Sequence, residues 1–289
     1  MKLIRFFFDK LGLLIEKKKY SASLEKGIIH PKELLYRSTF KRKIILEADM
    51  NDGWALERFS LSEDTLHPFV LALQAYERNK NKQDALDLMR KYYSQVQPRN
   101  LSEWFGIKGN VNTNKTHPSI GIFPWDDLDV EQKAVHVREC AIHDSVTNSK
   151  KKIDLNHGWR NFGPISEELL QLEVERLIKV YESIKYNGYV RNFDNDNDGD
   201  IGAFVLINGD EWKWCVDWGG QHRIAALRAL GYQKVKIKVW KIIYKDDYKF
   251  WPNVLNGFYS YTDANSIFEN YFSNGSKFKE WSEVIENEK

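Results

Sequence analysis

The stretch that most constrains this chain is Asp217-Trp218-Gly219-Gly220-Gln221-His222-Arg223. Before it, Trp212-Lys213-Trp214-Cys215-Val216-Asp217 alternates in polarity and reads as a strand. After it, Ile224, Leu227 and Leu230 recur at helical spacing, and Gly231 is placed to end that helix in a left-handed cap. Val235-Lys236-Ile237-Lys238-Val239 then alternates again. The order is strand, Gly-Gly turn, helix, strand. Two glycines at such a joint let the backbone approach a ligand closely. The first N–H groups of a helix have no internal partner, and its dipole favours an anion there. His222 and Arg223 add donors beside them, so the arrangement reads as a phosphate cradle. A plain tight turn with two surface residues is the simpler alternative. The ordered flanking elements favour the cradle.

The 289-residue chain has the composition of a globular protein, and its net charge of +2 offers no electrostatic case for DNA binding. Cys140 and Cys215 provide no disulfide framework, which fits a reducing cytoplasm. No apolar run approaches the roughly 20 residues that span a bilayer.

Along the chain, residues 1–20 stand apart as a basic amphipathic helix. Ile4, Phe7, Phe8, Leu11, Leu14 and Ile15 share one face, and Lys17-Lys18-Lys19 follows. Such a segment, 1–19 above all, can lie on an anionic membrane or dock on its own protein. Residues 21–157 read as a mostly helical region, with helical spacing over Leu66–Tyr93 broken at Asn79–Lys82 and a loop over Gly106–Trp125. Within a helix over 129–143, His136, Cys140 and His143 share a face at metal-ligand spacing. No fourth ligand is near, and a half-buried helix face explains the same pattern. Ser166 is placed to cap a helix that carries Glu167 and Glu168 in its first turn and ends at Asn187-Gly188. Asp194, Asp196 and Asp198, with Gly199, match the opening of a calcium loop, but Val205 stands where a bidentate Glu belongs. The segment Ala203–Ile207 reads instead as a strand, with Asn208-Gly209 as its hairpin turn. Residues 245–289 read as a helical extension.

From Gly163 to Ile243 the chain resembles the ParB/sulfiredoxin superfamily. The order of elements is similar, and Gly219-Gly220-Gln221-His222-Arg223 stands where sulfiredoxins carry Gly-Gly-Cys-His-Arg. The resemblance implies an α+β fold with a ParB/sulfiredoxin-like nucleotide-binding core over 158–244. It also implies that phosphates bind at Gly219, Gly220, Gln221, His222 and Arg223. In the preceding helix, Arg176 and Ser183 match nucleotide-contacting positions, and Glu173 matches an acidic one. Gln221 departs from the pattern. An amide cannot act as the nucleophile of a sulfiredoxin, so that activity is excluded. No helix-turn-helix domain is apparent, which argues against chromosome partitioning.

These readings point to a kinase acting on a small-molecule or sugar hydroxyl, with ATP, ADP or CTP as nucleotide and Mg²⁺ as its companion. His222, Arg223 and Arg176 would neutralise phosphate charge, and a carboxylate, Glu173 first and Glu168 or Asp217 next, would accept the proton. A likeness to ParB-like proteins associated with surface-polysaccharide synthesis implies a sugar acceptor and a position at the inner membrane face. The alternatives are a nucleotide-dependent binding or switch protein, and a ParB-like nuclease.

Overall fold

The alternation that marks Lys234–Tyr244 produces the longest strand of a six-stranded mixed sheet. In the computed structural model, residues 30–33, 44–149, 153–190, 200–217, 219–273 and 279–286 are described. The chain divides into two units, Met1–Lys43 and Ile44–Lys289, and all six strands belong to the second. The basic segment 1–19, the aspartates 194, 196 and 198, and Trp218 lie outside the described residues.

The strands are β1 Ile44–Asp49, β2 Gly53–Ala55, β3 Phe59–Ser60, β4 Ile201–Asn208, β5 Glu211–Val216 and β6 Lys234–Tyr244. Their order across the sheet is β1-β6-β4-β5-β2-β3. β4 and β5 form an antiparallel hairpin in which Asn208 faces Glu211, leaving Gly209 and Asp210 at the tip. β6 returns parallel to β4, and β2 lies parallel to β5. β4 is buried from Ile201 to Ile207, as expected of a central strand covered on both faces.

Helices α1 Pro68–Asn79, α2 Lys82–Gln95, α6 Glu167–Asn187 and α7 Gln221–Ala229 pack on one another, and α7 also packs against β4. The expected break at Asn79–Lys82 is real. Lys80 takes a left-handed conformation and Asn81 caps α2 by accepting from the Gln83 N–H. Ser166 caps α6 as expected, and Gly231, at φ +83°, terminates α7. Between these helices lie the short α3 Leu101–Phe105 and α4 Val111–Lys115, and the long α5 Val130–Ser149. The C-terminal helices are α8 Pro252–Leu255, α9 Tyr261–Glu269 and α10 Lys279–Glu286. The chain around α8 and α9 brings Trp251, Phe268 and Tyr271 to Trp125 and Phe204 in an aromatic cluster. Phe204 alternates with Ala203 and Val205 along β4, so this cluster lies on the face opposite those two residues.

The α+β class is as expected, but residues 21–157 are not simply helical. β1, β2 and β3 come from this region and complete the same sheet as β4–β6. Two of them, Gly53-Trp54-Ala55 and Phe59-Ser60, are three and two residues long. Runs that short show no period of two, so only the neighbouring strand defines them. No helix among the described residues is long and apolar enough to cross a membrane.

Candidate functional site at the end of strands β2 and β5

Because β2 and β5 run parallel, both chains leave the sheet at the same edge. In open sheets that edge, beyond the carboxyl ends of parallel strands, is the common place for a ligand. β5 continues into Asp217 and the glycine pair. Gly219 has φ +72° and Gly220 φ +98°, values that a side chain would strain. A Cβ on Gly220 would also lie 3.0 Å from Ile201 Cγ1. Gly220 is the N-cap of α7, and no side chain caps the helix start. The start of α7 therefore follows the carboxyl end of β5 without a side-chain cap.

Gln221, the first residue of α7, has a role that the sequence did not suggest. Its Oε1 accepts the Leu56 N–H at 3.1 Å and its Nε2 donates to the Val216 carbonyl at 3.2 Å. The amide thus braces the ends of β2 and β5 against the cradle. Arg223 donates from Nη1 to the Asp200 carbonyl at 3.1 Å, holding the chain that enters β4.

His222 and Glu173 meet between α7 and α6. His222 is 8% exposed and Glu173 3%. Nε2 of His222 lies 3.0 Å from Oε2 of Glu173. Among the described residues neither atom has another hydrogen-bond partner. The His222 ring stacks on Phe69 at 5.2 Å. His67, which caps α1 by accepting the Phe69 N–H, is fully buried, and that burial pushes its imidazole down to about 3. Arg176 reaches Glu173 at 3.0 Å and grips Asp144 on α5 through two hydrogen bonds of 2.8 and 3.1 Å. Arg160 joins the Asp144 carboxylate at 3.3 Å. Burial alone would raise the Glu173 pKa, but His222, Arg176 and Arg160 outweigh it and hold the carboxyl down at about 2.

That revises the expected roles. Glu173 stays ionised near neutral pH and is a weak proton acceptor. It is an anchor for His222 and Arg176. Arg176 is engaged by two carboxylates, so it offers phosphate a cation only after Asp144 lets go. Ser183 is exposed, ten residues and about 15 Å further along α6, at the end where Tyr181 and Lys185 meet Glu77 of α1. It does not join the cradle. Glu168 is half-exposed, with Oε2 3.8 Å from His157 Nε2, and stands away from it too.

Around the cradle's other side lies a group of carboxylates. Asp217 is exposed at the end of β5. Desolvation there and the neighbouring Asp126 raise its pKa. Lys133 of α5 pairs with Asp126 at 2.9 Å and also faces Asp217 and Glu57. Glu57 lies two residues beyond the end of β2. It is half-buried, and desolvation, against the opposing pull of a hydrogen bond from the Trp104 indole and of Lys133, pushes its carboxyl up to about 7. Leu56 and Glu57 are consecutive non-glycine residues with left-handed backbone, at φ +46° and +66°. Gly121 makes room for the Glu57 side chain, since a Cβ there would lie 2.6 Å from Oε1. Glu57 carries no sequence motif. The only signal, two adjacent residues in a conformation glycine prefers, exists in the structure alone.

His136 and Cys140 approach to 3.5 Å on α5, while His143 is exposed, and no group of three or more metal-ligating side chains occurs among the described residues. Comparison with protein families, with characterised proteins and with solved structures found no match to this chain.

Proposed function

We propose that this chain is a nucleotide-dependent phosphotransferase, with a ParB/sulfiredoxin-like core, that acts on a hydroxyl of a small molecule or sugar. The observation that carries this reading is the start of α7. It has no side-chain cap, it opens from two left-handed glycines at the edge shared by β2 and β5, and His222 and Arg223 flank it. Backbone N–H groups of Gly220 and Gln221 would hold phosphate oxygens, and Arg223 would add charge. Phosphoryl transfer asks little more of a protein than positioning, charge stabilisation and a proton acceptor. Asp217, with its raised pKa beside the cradle, suits proton acceptance better than Glu173 does. Mg²⁺ would arrive on the nucleotide phosphates, where Asp217 is the nearest carboxylate in sequence to the cradle.

One observation favours a second reading, a nucleotide-dependent switch without turnover. Asp144 of α5 occupies Arg176 and Arg160 together, so a ligand that needs those cations has to displace a helix.

Titration calorimetry with ATP, ADP and CTP, with and without Mg²⁺, tests both readings. Arg223→Ala is expected to weaken binding by about 1.5–3 kcal/mol, the span for hydrogen bonds to charged groups. Unchanged affinity in a folded variant removes Arg223 from the site. Phosphoryl transfer to an added sugar or amino acid selects the phosphotransferase, and tight binding without transfer selects the switch.

A further inference from the structure

We infer that α5 is a lid at the start of α7, held closed by Asp144. The Asp144 carboxylate occupies an arginine pair, Arg160 and Arg176, that takes a phosphate of the incoming nucleotide when the lid opens. The inference rests on the nucleotide-binding reading and adds to it a competitor for the ligand that the chain itself supplies.

Three observations carry it. The first is placement. Asp144 is gripped by Arg176, Arg176 reaches Glu173 at 3.0 Å, and Glu173 lies 3.0 Å from His222, the second residue of α7. A continuous run of charged contacts thus joins α5 to the first turn of α7. Towards the other end of α5, Lys133 pairs with Asp126 at 2.9 Å and faces Asp217, two residues before Gly219. Lys133 and Asp144 share one face of the helix three turns apart, about 16 Å at the usual rise per residue. One charged anchor of α5 therefore serves the Asp217 side of the glycine turn, and the other serves the His222 side.

The second observation is attachment. Lys133, Val137, Cys140 and Asp144 recur at helical spacing and form the inward stripe. Among the described side chains of α5, Val137 alone is buried, and Val135 and Val146 are exposed. α5 has 20 residues, and α6, with 21, buries seven. A helix with so little apolar surface buried opens more readily than its neighbours. The third observation is mimicry. Two guanidinium groups on one carboxylate, one of them through paired hydrogen bonds of 2.8 and 3.1 Å, is the way arginines also hold a phosphate. Arg160 is further steadied by the Trp159 ring, at 5.3 Å. A terminal phosphate brings three acceptor oxygens and about two negative charges to a place where Asp144 brings two oxygens and one charge.

The simpler account is a permanent brace between α5 and α6. A brace made for stability would rest on apolar contacts, because ion pairs that keep solvent contact contribute little, and Asp144 is 30% exposed. As a lid, α5 couples binding to opening. The ligand gains both arginines only in the open state, and that difference in affinity shifts the population towards it.

Titration calorimetry with Mg²⁺-ATP tests the lid on wild type and on Asp144→Asn, which keeps the size of the side chain and removes its charge. The variant is expected to bind roughly 5–150-fold more tightly, the ordinary span of coupling between two sites. Adding Arg160→Gln to Asp144→Asn should reverse most of that gain, because the freed arginine is what the phosphate uses. Loosening of a mere brace produces no such gain. Hydrogen exchange on the wild-type protein gives an independent answer, which stands even where Asp144→Asn does not fold. Saturating Mg²⁺-ATP is expected to speed exchange across Val130–Ser149 and to slow it over Gln221–Ile224. Affinity that does not rise in folded Asp144→Asn, or α5 exchange that stays constant or slows while ATP is bound, overturns the lid and leaves the nucleotide site standing. Failure of both wild type and folded Asp144→Asn to bind any of ATP, ADP and CTP overturns both.

Discussion

Glu173 is held by Arg176 of its own helix α6 and by His222 of α7, while Asp144 of α5 binds the same Arg176. At the level of sequence, Glu173 shares a helical face with Arg176, and the two meet at 3.0 Å. Its other partner comes from α7, and Asp144, which completes the group, comes from α5. No local pattern announces those partners, so a carboxylate that looks available in the sequence is fully engaged in the fold. The same physics gives a pH prediction. The folded pKa of about 2 lies below the ordinary 4.5. Glu173 therefore contributes stability that is fully present above about pH 4.5 and is lost as pH falls through 2. Glu173→Gln is expected to cost about 3–5 kcal/mol at pH 7, the range for removing one partner of a buried ion pair. In thermal melts the gap between wild type and variant should narrow between pH 4.5 and 2.5. A gap that stays constant would mean that Glu173 acts through packing and not through its charge.

Among the elements, α7 was the most legible. Its strand, turn, helix and second strand each carry a period or a glycine, and the structure keeps all four in place. The calcium-loop match fails at Val205, which lies fully buried in β4. β2 and β3 were illegible, because two or three residues cannot display alternation. They matter nonetheless, since β2 leads into Leu56, whose N–H the Gln221 side chain accepts at the start of α7. The two glycines before α7 should prove unequal. A Cβ on Gly219 meets nothing within 4 Å, so Gly219→Ala bears only the left-handed penalty of roughly 1–2 kcal/mol. At Gly220 a Cβ meets Ile201 at 3.0–3.3 Å, including backbone Cα, in addition to a φ of +98°. Gly220→Ala is expected to cost about 1–3 kcal/mol, the larger loss of the two, and to lower ATP affinity by pushing α7 off the sheet edge. Denaturant melts of the two variants rank them. A Gly219→Ala variant as unstable as Gly220→Ala would show that the turn is loose at Ile201.

For the molecule as a whole, charge is divided unevenly along the chain. Residues 1–20 hold six basic side chains against two acidic ones, within a chain whose total is only +2. The remaining protein is therefore close to neutral. Each Lys or Arg near an anionic bilayer contributes about 1 kcal/mol, and an apolar helical face adds to that. Ile44–Lys289 contains all six strands and every residue of the candidate site. Its core does not depend in sequence on the basic segment. Removing residues 1–19 is expected to leave the thermal transition and ATP affinity unchanged and to lower sedimentation with phosphatidylserine-containing vesicles. Raising ionic strength should weaken the binding of the full chain, because the screening length falls from about 10 Å at 0.1 M to about 3 Å at 1 M salt. The outcome separates the two roles open to this segment. A truncated protein that sediments as well as the full chain removes the membrane role. A truncated protein that melts earlier or loses solubility shows that the segment docks on its own protein.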